Sequence, residues 1–167
     1  MRKIGFIIYV TVLVLAAMFC NYVFMLTFVP TCSMAGIIEA GDNVICTRFG
    51  IGEDGIERYD ILIFNAPDNP DETYIKRVIG LPGETIEIRD GKVYADGLEL
   101  DGSFVNGPQN RRGDGVYKVP EGHYFFLGDN RNKSNDSRFW KNKYVPAENI
   151  KAKARCVIYP FADAGWL

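Results

Sequence analysis

After Met-Arg-Lys the chain runs from Ile4 to Phe24, 21 residues interrupted only by the mildly polar Thr11, Cys20 and Asn21. At about 1.5 Å per residue, a helix of that length spans about 30 Å, the thickness of a bilayer's hydrocarbon core. A cleaved secretory signal would carry a shorter apolar core, about 7–15 residues, with small residues at its exit. This run is longer and leads instead into Val29-Pro30. Cys20 is a poor site for lipid attachment because bulky Phe19 precedes it. The segment therefore reads as a retained transmembrane anchor. Arg2 and Lys3 are the only charges before Glu39. The positive flank is thus N-terminal, which predicts a single-pass protein with its N-terminus in the cytoplasm and the remainder outside.

The remainder carries 17 of the 19 basic residues and all 21 acidic ones. An acidic balance argues against nucleic acid, whose phosphates want a basic face. Four cysteines without a CxxC give no zinc pattern, and no metal or cofactor is expected. Cys46 and Cys156 lie in expected strands, where either a disulfide or two buried thiols would fit. Short segments rich in Ile, Val, Tyr and Phe predict strands at 43–48, 60–64, 73–79, 84–89, 92–95, 123–127 and 154–159. Asp90-Gly91 marks a hairpin turn, and no sustained 3.6-residue stripe follows the anchor. The expected fold class is mainly β, coiled antiparallel sheets or a partial barrel behind one transmembrane helix. Residues 1–28 form the cytoplasmic tip and anchor, and 29–167 the extracytoplasmic domain. The glycine-rich stretch 106–115 reads as a surface loop.

Ser33 stands in "FVPTCSMAGIIEAGD" just past the anchor, with no histidine nearby. The chain's one histidine, His123, sits beside a turn, a place that commonly serves a structural hydrogen bond. Without it, a serine nucleophile needs another base, and a lysine can serve only when neutral. An ordinary lysine titrates near 10.4, so work near pH 7–8 requires a fall of about 3 units, achieved by desolvation. Lys76 lies among Tyr74, Ile75, Val78 and Ile79. Strand alternation turns Lys76 away from Arg77, so that one can be buried and its neighbour solvated. Lys76 is thus either a buried base or an ordinary strand lysine with its head in water. A third block, "LGDNRNKSNDSRFW", packs Asp129, Asn130, Arg131, Ser134, Asp136, Ser137 and Arg138 behind an apolar strand. It is either a solvated turn or a polar knot that holds a neighbouring side chain, with an Asp136–Arg138 pair as its brace.

Four blocks, "PTCSM", "YDILIF", "YIKRVIGLPGE" and "GDNRNKSNDSR", together with the closing "YVPAENIKAKARCVIYP", resemble the bacterial type I signal peptidases, the serine–lysine leader peptidase family. The resemblance implies Ser33 as nucleophile and Lys76 as general base. It implies an oxyanion hole from the Ser33 N–H and the Thr31 hydroxyl, and Ser134 orienting the lysine amine. Asp129, Arg131, Asp136 and Arg138 would support the site. Val29, Met34, Ile38, Tyr74 and Ile75 would line small apolar pockets suited to an Ala-x-Ala sequence before the cut. The substrate would be the signal peptides of exported preproteins, and the enzyme a monomer in the bacterial cytoplasmic membrane. Three positions depart from the family's pattern: Gly36-Ile37-Ile38 replaces Pro-Thr-Leu, Cys32 replaces glycine, and Lys141 stands where glycine commonly follows. The alternatives are a Ser-Lys protease dedicated to one precursor and an inactive, membrane-tethered peptide-binding relative. A self-cleaving repressor would need a DNA-binding head where this chain has an anchor.

Overall fold

A computed structural model of the chain describes residues 2–52, 55–107 and 111–167. The apolar run forms helix α1, Arg2–Val23, and every side chain from Lys3 to Tyr22 is exposed. A helix apolar on all sides and unburied among the described residues is of the length and character that crosses a bilayer. α1 passes without a linker into strand β1, Phe24–Phe28. No local pattern marks this strand, because its residues are apolar on both faces and hide the alternation. In the fold the alternation is clear: Phe24, Leu26 and Phe28 are exposed, while Met25 and Thr27 turn inward. Pairing with β2, Asn43–Thr47, runs antiparallel from Phe24 opposite Thr47 to Phe28 opposite Asn43.

The other strands are β3 (Ile61–Asn65), β4 (Thr73–Gly80), β5 (Thr85–Arg89), β6 (Lys92–Ala95), β7 (Leu98–Glu99), β8 (Gly115–Lys118), β9 (His123–Leu127), β10 (Val145–Pro146), β11 (Ile150–Tyr159) and β12 (Gly165–Trp166). The larger sheet is ordered β1-β2-β11-β3-β4-β9-β10, with β12 added beside β11. The smaller is ordered β7-β6-β5-β8, and all pairings in both are antiparallel. Register shifts along β11 bend it, so that one strand of 10 residues serves both β2 and β3. Residues 154–159 were legible as strand; the polar start of β11 was not.

β3 is buried on both faces and divides the core. Ile61 and Ile63 join Val29, Met34, Ile38, Val44, Ile75, Ala152 and Val157 on one side. Leu62 and Phe64 join Val78, Tyr124, Phe126, Trp140 and Ile150 on the other. A third cluster, with Ile79, Ile86, Val119 and Phe125, fastens the smaller sheet to the larger. Gly80 allows that contact, since a Cβ there would come within 2.9 Å or less of Ile86, Phe125 and Val119. The Asp90-Gly91 turn joins β5 to β6 with φ of 53° and 79°, the doubly positive geometry of a type I′ hairpin. Cys46 and Cys156 are free thiols, and burial pushes the Cys46 thiol up to about 11, which keeps it protonated.

Candidate active site

Four residues beyond β1, the chain folds into a tight turn over 32–38. Ala35 N–H donates to the Cys32 carbonyl, and Ile37 and Ile38 N–H both donate to that of Met34. Met34 and Ile38, fully buried, pin the turn to the core beneath it. A second stitch closes its base: Val29 N–H donates to Asp42 O at 2.8 Å and Gly41 N–H to Val29 O at 2.7 Å. Ser33 rides on top of this turn, only 5% exposed.

Lys76 comes from the middle of β4, placed opposite Leu62 by the β3–β4 register. Its Nζ lies 2.8 Å from Ser33 Oγ and 2.9 Å from the Ile75 carbonyl oxygen. The ammonium is poorly tolerated there. Burial lowers the Lys76 pKa from its ordinary value to about 8, although the Asp136 and Asp129 carboxylates pull it upward. A neutral lysine amine within hydrogen-bond reach of a serine hydroxyl can accept its proton, which makes the oxygen a nucleophile.

The polar block after β9 is a buried knot. Asp136 receives Arg138 through Nε at 2.8 Å and Nη2 at 2.9 Å, and also takes the Gly128 N–H at 3.1 Å. Arg138 Nη2 reaches the Arg131 carbonyl at 2.7 Å, and Arg131 Nε the Gly128 carbonyl at 3.1 Å. Burial, with the Arg138 charge beside it, lowers the Arg131 pKa to about 10. Asp129 is held by Arg77 through two bonds, 2.8 and 2.6 Å, so Arg77 is buried and not solvated as strand alternation suggested. Alternation does turn it away from Lys76, but the other side of β4 is also covered. Ser134 Oγ is buried and makes no hydrogen bond among the described residues, to Lys76 Nζ or otherwise. Its position is nonetheless close: a Cβ on Gly128 would fall 2.3 Å from Ser134 Oγ and 2.5 Å from Ser33 O.

Residues outside the sequence-derived set hold the serine turn. Asn130 N–H donates to Ser33 O at 3.1 Å, and Asn130 Nδ2 to Cys32 O at 3.1 Å. Both Gly128 and Asn130 lie inside the "GDNRNKSNDSR" block, so the signal was present but gave no reason to single them out. A groove of about 410 Å³ opens over Ser33 and Lys76. Thr31, Tyr74 and Ile75 line it, together with Thr27, Phe28, Pro30, Ile63, Glu72, Thr73, Lys133 and Asn135. Val29, Met34 and Ile38 are not on its wall but in the core below, each at most 1% exposed. β9 pairs with β4 from Arg77 onward, so the outer edge of Thr73–Lys76 has no strand partner among the described residues. His123 lies away from the groove, beside Pro67, Pro120 and Pro146, with Nδ1 2.9 Å from the Glu121 carbonyl oxygen.

The profile of one family, "Signal peptidase, peptidase S26", matches residues 2–159. Among curated proteins, a probable signal peptidase I-2 of Synechocystis is 33% identical over 163 residues, covering 95% of this chain and 73% of that protein. Signal peptidase I V of Bacillus subtilis is 36% identical over 150 residues, covering 82% of this chain and 88% of its own. A crystal structure of a signal peptidase I from Enterococcus faecalis V583 is similar with a TM-score of 0.50 and 35% identity, covering 59% of this chain and 95% of that one. The chain therefore belongs to the S26 signal peptidases, serine endopeptidases that remove signal peptides from exported proteins.

Proposed function

We propose that this enzyme cuts preproteins after a small-x-small sequence, using a Ser33/Lys76 dyad and an acyl-enzyme intermediate. The observation that carries the proposal is the 2.8 Å approach of Lys76 Nζ to Ser33 Oγ, with the amine's pKa lowered by burial to about 8. Ser33 Oγ attacks the scissile carbonyl carbon while its proton passes to Lys76 Nζ. The negative oxygen that develops is met by the Ser33 N–H and the Thr31 hydroxyl. Collapse of the tetrahedral species breaks the C–N bond, and Lys76 returns the proton to the departing amine. Water then gives its proton to Lys76 and attacks the ester, and Ser33 recovers a proton as it leaves. Ser134, which borders Gly128 together with Ser33, would orient the lysine amine.

The groove's form supports the substrate assignment. An extended peptide can lie between β1 and the unpartnered edge of Thr73–Lys76, held by strand-type hydrogen bonds. Phe28, Ile63, Tyr74 and Ile75 give apolar walls, and Val29, Met34 and Ile38 limit their depth from beneath. Shallow apolar recesses accept alanine and exclude larger side chains. α1 supports a groove just outside the bilayer, and the Arg2-Lys3 flank favours an N-terminus in the cytoplasm with the domain outside.

The test is cleavage of a precursor carrying an Ala-x-Ala site by the full chain in membranes. Ser33→Ala and Lys76→Ala are each expected to abolish cutting while the protein stays folded. Full activity in Lys76→Ala would overturn the dyad. An inactive parent would favour a tethered peptide-binding protein instead.

A further inference from the structure

Asn106 lies 71 residues beyond the turn that carries Ser33, yet its Nδ2 donates to the Ala35 carbonyl at 3.0 Å. Its own N–H donates to the Asp129 carbonyl, also at 3.0 Å. It further fills the space beside Gly36, where a Cβ would come to 3.2 Å from the Asn106 Cβ. Gly36 has φ of +108°, a region open to glycine because it lacks a Cβ, and the same lack leaves the backbone little steric restraint of its own. The turn therefore has one limb tied by Asn130, at Cys32 and Ser33, and a second limb whose carbonyl is tied by Asn106.

The segment that delivers Asn106 is itself fixed. The Phe104 ring lies 4.3 Å from the Arg77 guanidinium and 5.4 Å from the Tyr59 ring, and Asp101 N–H donates to the Tyr59 hydroxyl at 3.1 Å. Arg77 follows Lys76 in β4, and its partner Asp129 is the residue whose carbonyl receives the Asn106 N–H. One continuous path thus leads from the strand of the base, through Arg77, Asp129 and Asn106, to the turn of the nucleophile. Ser33 and Lys76 stand on separate elements, so their separation is only as well defined as such braces make it.

We infer that Asn106 is a positioning residue for the reaction: its amide clamps the Ala35 carbonyl and thereby holds the Ser33 hydroxyl and N–H in register with Lys76. The inference rests on the Ser33/Lys76 reading. Misplacement of a nucleophile by a fraction of an ångström costs turnover rather than substrate binding, about 10- to 100-fold. The experiment compares Asn106→Ala and Asn106→Asp with the parent, all as full chains in membranes, measuring kcat, KM and thermal melting. Asn106→Asp keeps the side chain's shape but turns an acceptor toward the Ala35 carbonyl. Both variants are expected to lose about 10- to 100-fold in kcat, with KM changed less than about 2-fold and melting near that of the parent. Parent-like kcat in either variant overturns the clamp, since packing alone would then suffice. A rise in KM at unchanged kcat, or a loss that follows lowered melting, overturns it as well. Ser33→Ala run alongside separates the two ideas: residual activity there would overturn the dyad itself, whatever the Asn106 variants do.

Discussion

Burial of Lys76 costs the fold stability, and the proposed role as base is what that cost would serve. Its pKa falls from 10.5 to about 8 on burial, so below pH 8 the folded chain must hold a proton it binds poorly. Between about pH 8 and 10.5 the unfolded chain binds more protons than the folded one, so stability rises with pH through that window. Below it the penalty is complete, about 3 kcal/mol at 1.36 kcal/mol per unit. Lys76→Met is accordingly expected to stabilise the protein at pH 7 by up to about 3 kcal/mol, a gain that vanishes above pH 10.5, as denaturant unfolding at the two pH values would register. On the proposed mechanism, catalysis follows the same titration with the opposite benefit. kcat/KM for a neutral substrate is expected to rise with pH to a plateau, with its midpoint near 8. A profile flat from pH 6 to 10 would contradict a lysine base. In the sequence, Lys76 stood out by its apolar neighbours, but Arg77 beside it was read as solvated. What was missing was Asp129, 52 residues later, which makes burial of the arginine possible.

Among the elements, the serine turn depends most on backbone detail. Gly36 N–H donates to Glu39 Oε1 at 2.8 Å, and its φ of +108° is closed to proline, whose ring fixes φ near −65°. Gly36→Pro restores the residue usual in the family, but here it is expected to destabilise the protein by about 2 kcal/mol or more and to reduce cleavage. Thermal melting and kcat/KM of the variant test this, and a neutral outcome would mean that the turn has another geometry. The Asp90-Gly91 hairpin was legible because alternation in β5 and turn residues coincide there, and β3, β4, β6 and β9 were legible as short runs rich in Ile, Val, Tyr and Phe. β1 was not, since an apolar run after a membrane helix looks like more helix. Only the open edge of β2, completed from Phe24 to Phe28, makes a strand of it.

For the whole molecule, the membrane sets the frame. The anchor ends at Val23, and the exposed face of β1, with Phe24, Leu26 and Phe28, begins at once. On the proposed topology, Ser33 is held close to the bilayer, where a translocated signal peptide emerges. The cysteines offer a direct test of orientation. Cys20 lies in α1, Cys46 is buried, Cys156 is half-buried and Cys32 is exposed. A membrane-impermeant maleimide is expected to label Cys32 in intact cells, and Cys32→Ser to remove most of that label. Labelling that requires permeabilised cells would place the domain in the cytoplasm. Local chemistry in the sequence determined the anchor, the β character of the domain and the residue types of the catalytic blocks. Hydropathy, alternation and turn preference act over a few residues and can be read there. The tertiary structure decided which distant groups meet: Nζ on Oγ across 43 residues, Arg77 on Asp129, and Asn106 on the serine turn. Those contacts depend on strand register and on the exclusion of water from a shared interior, and neither is a property of any short stretch of chain.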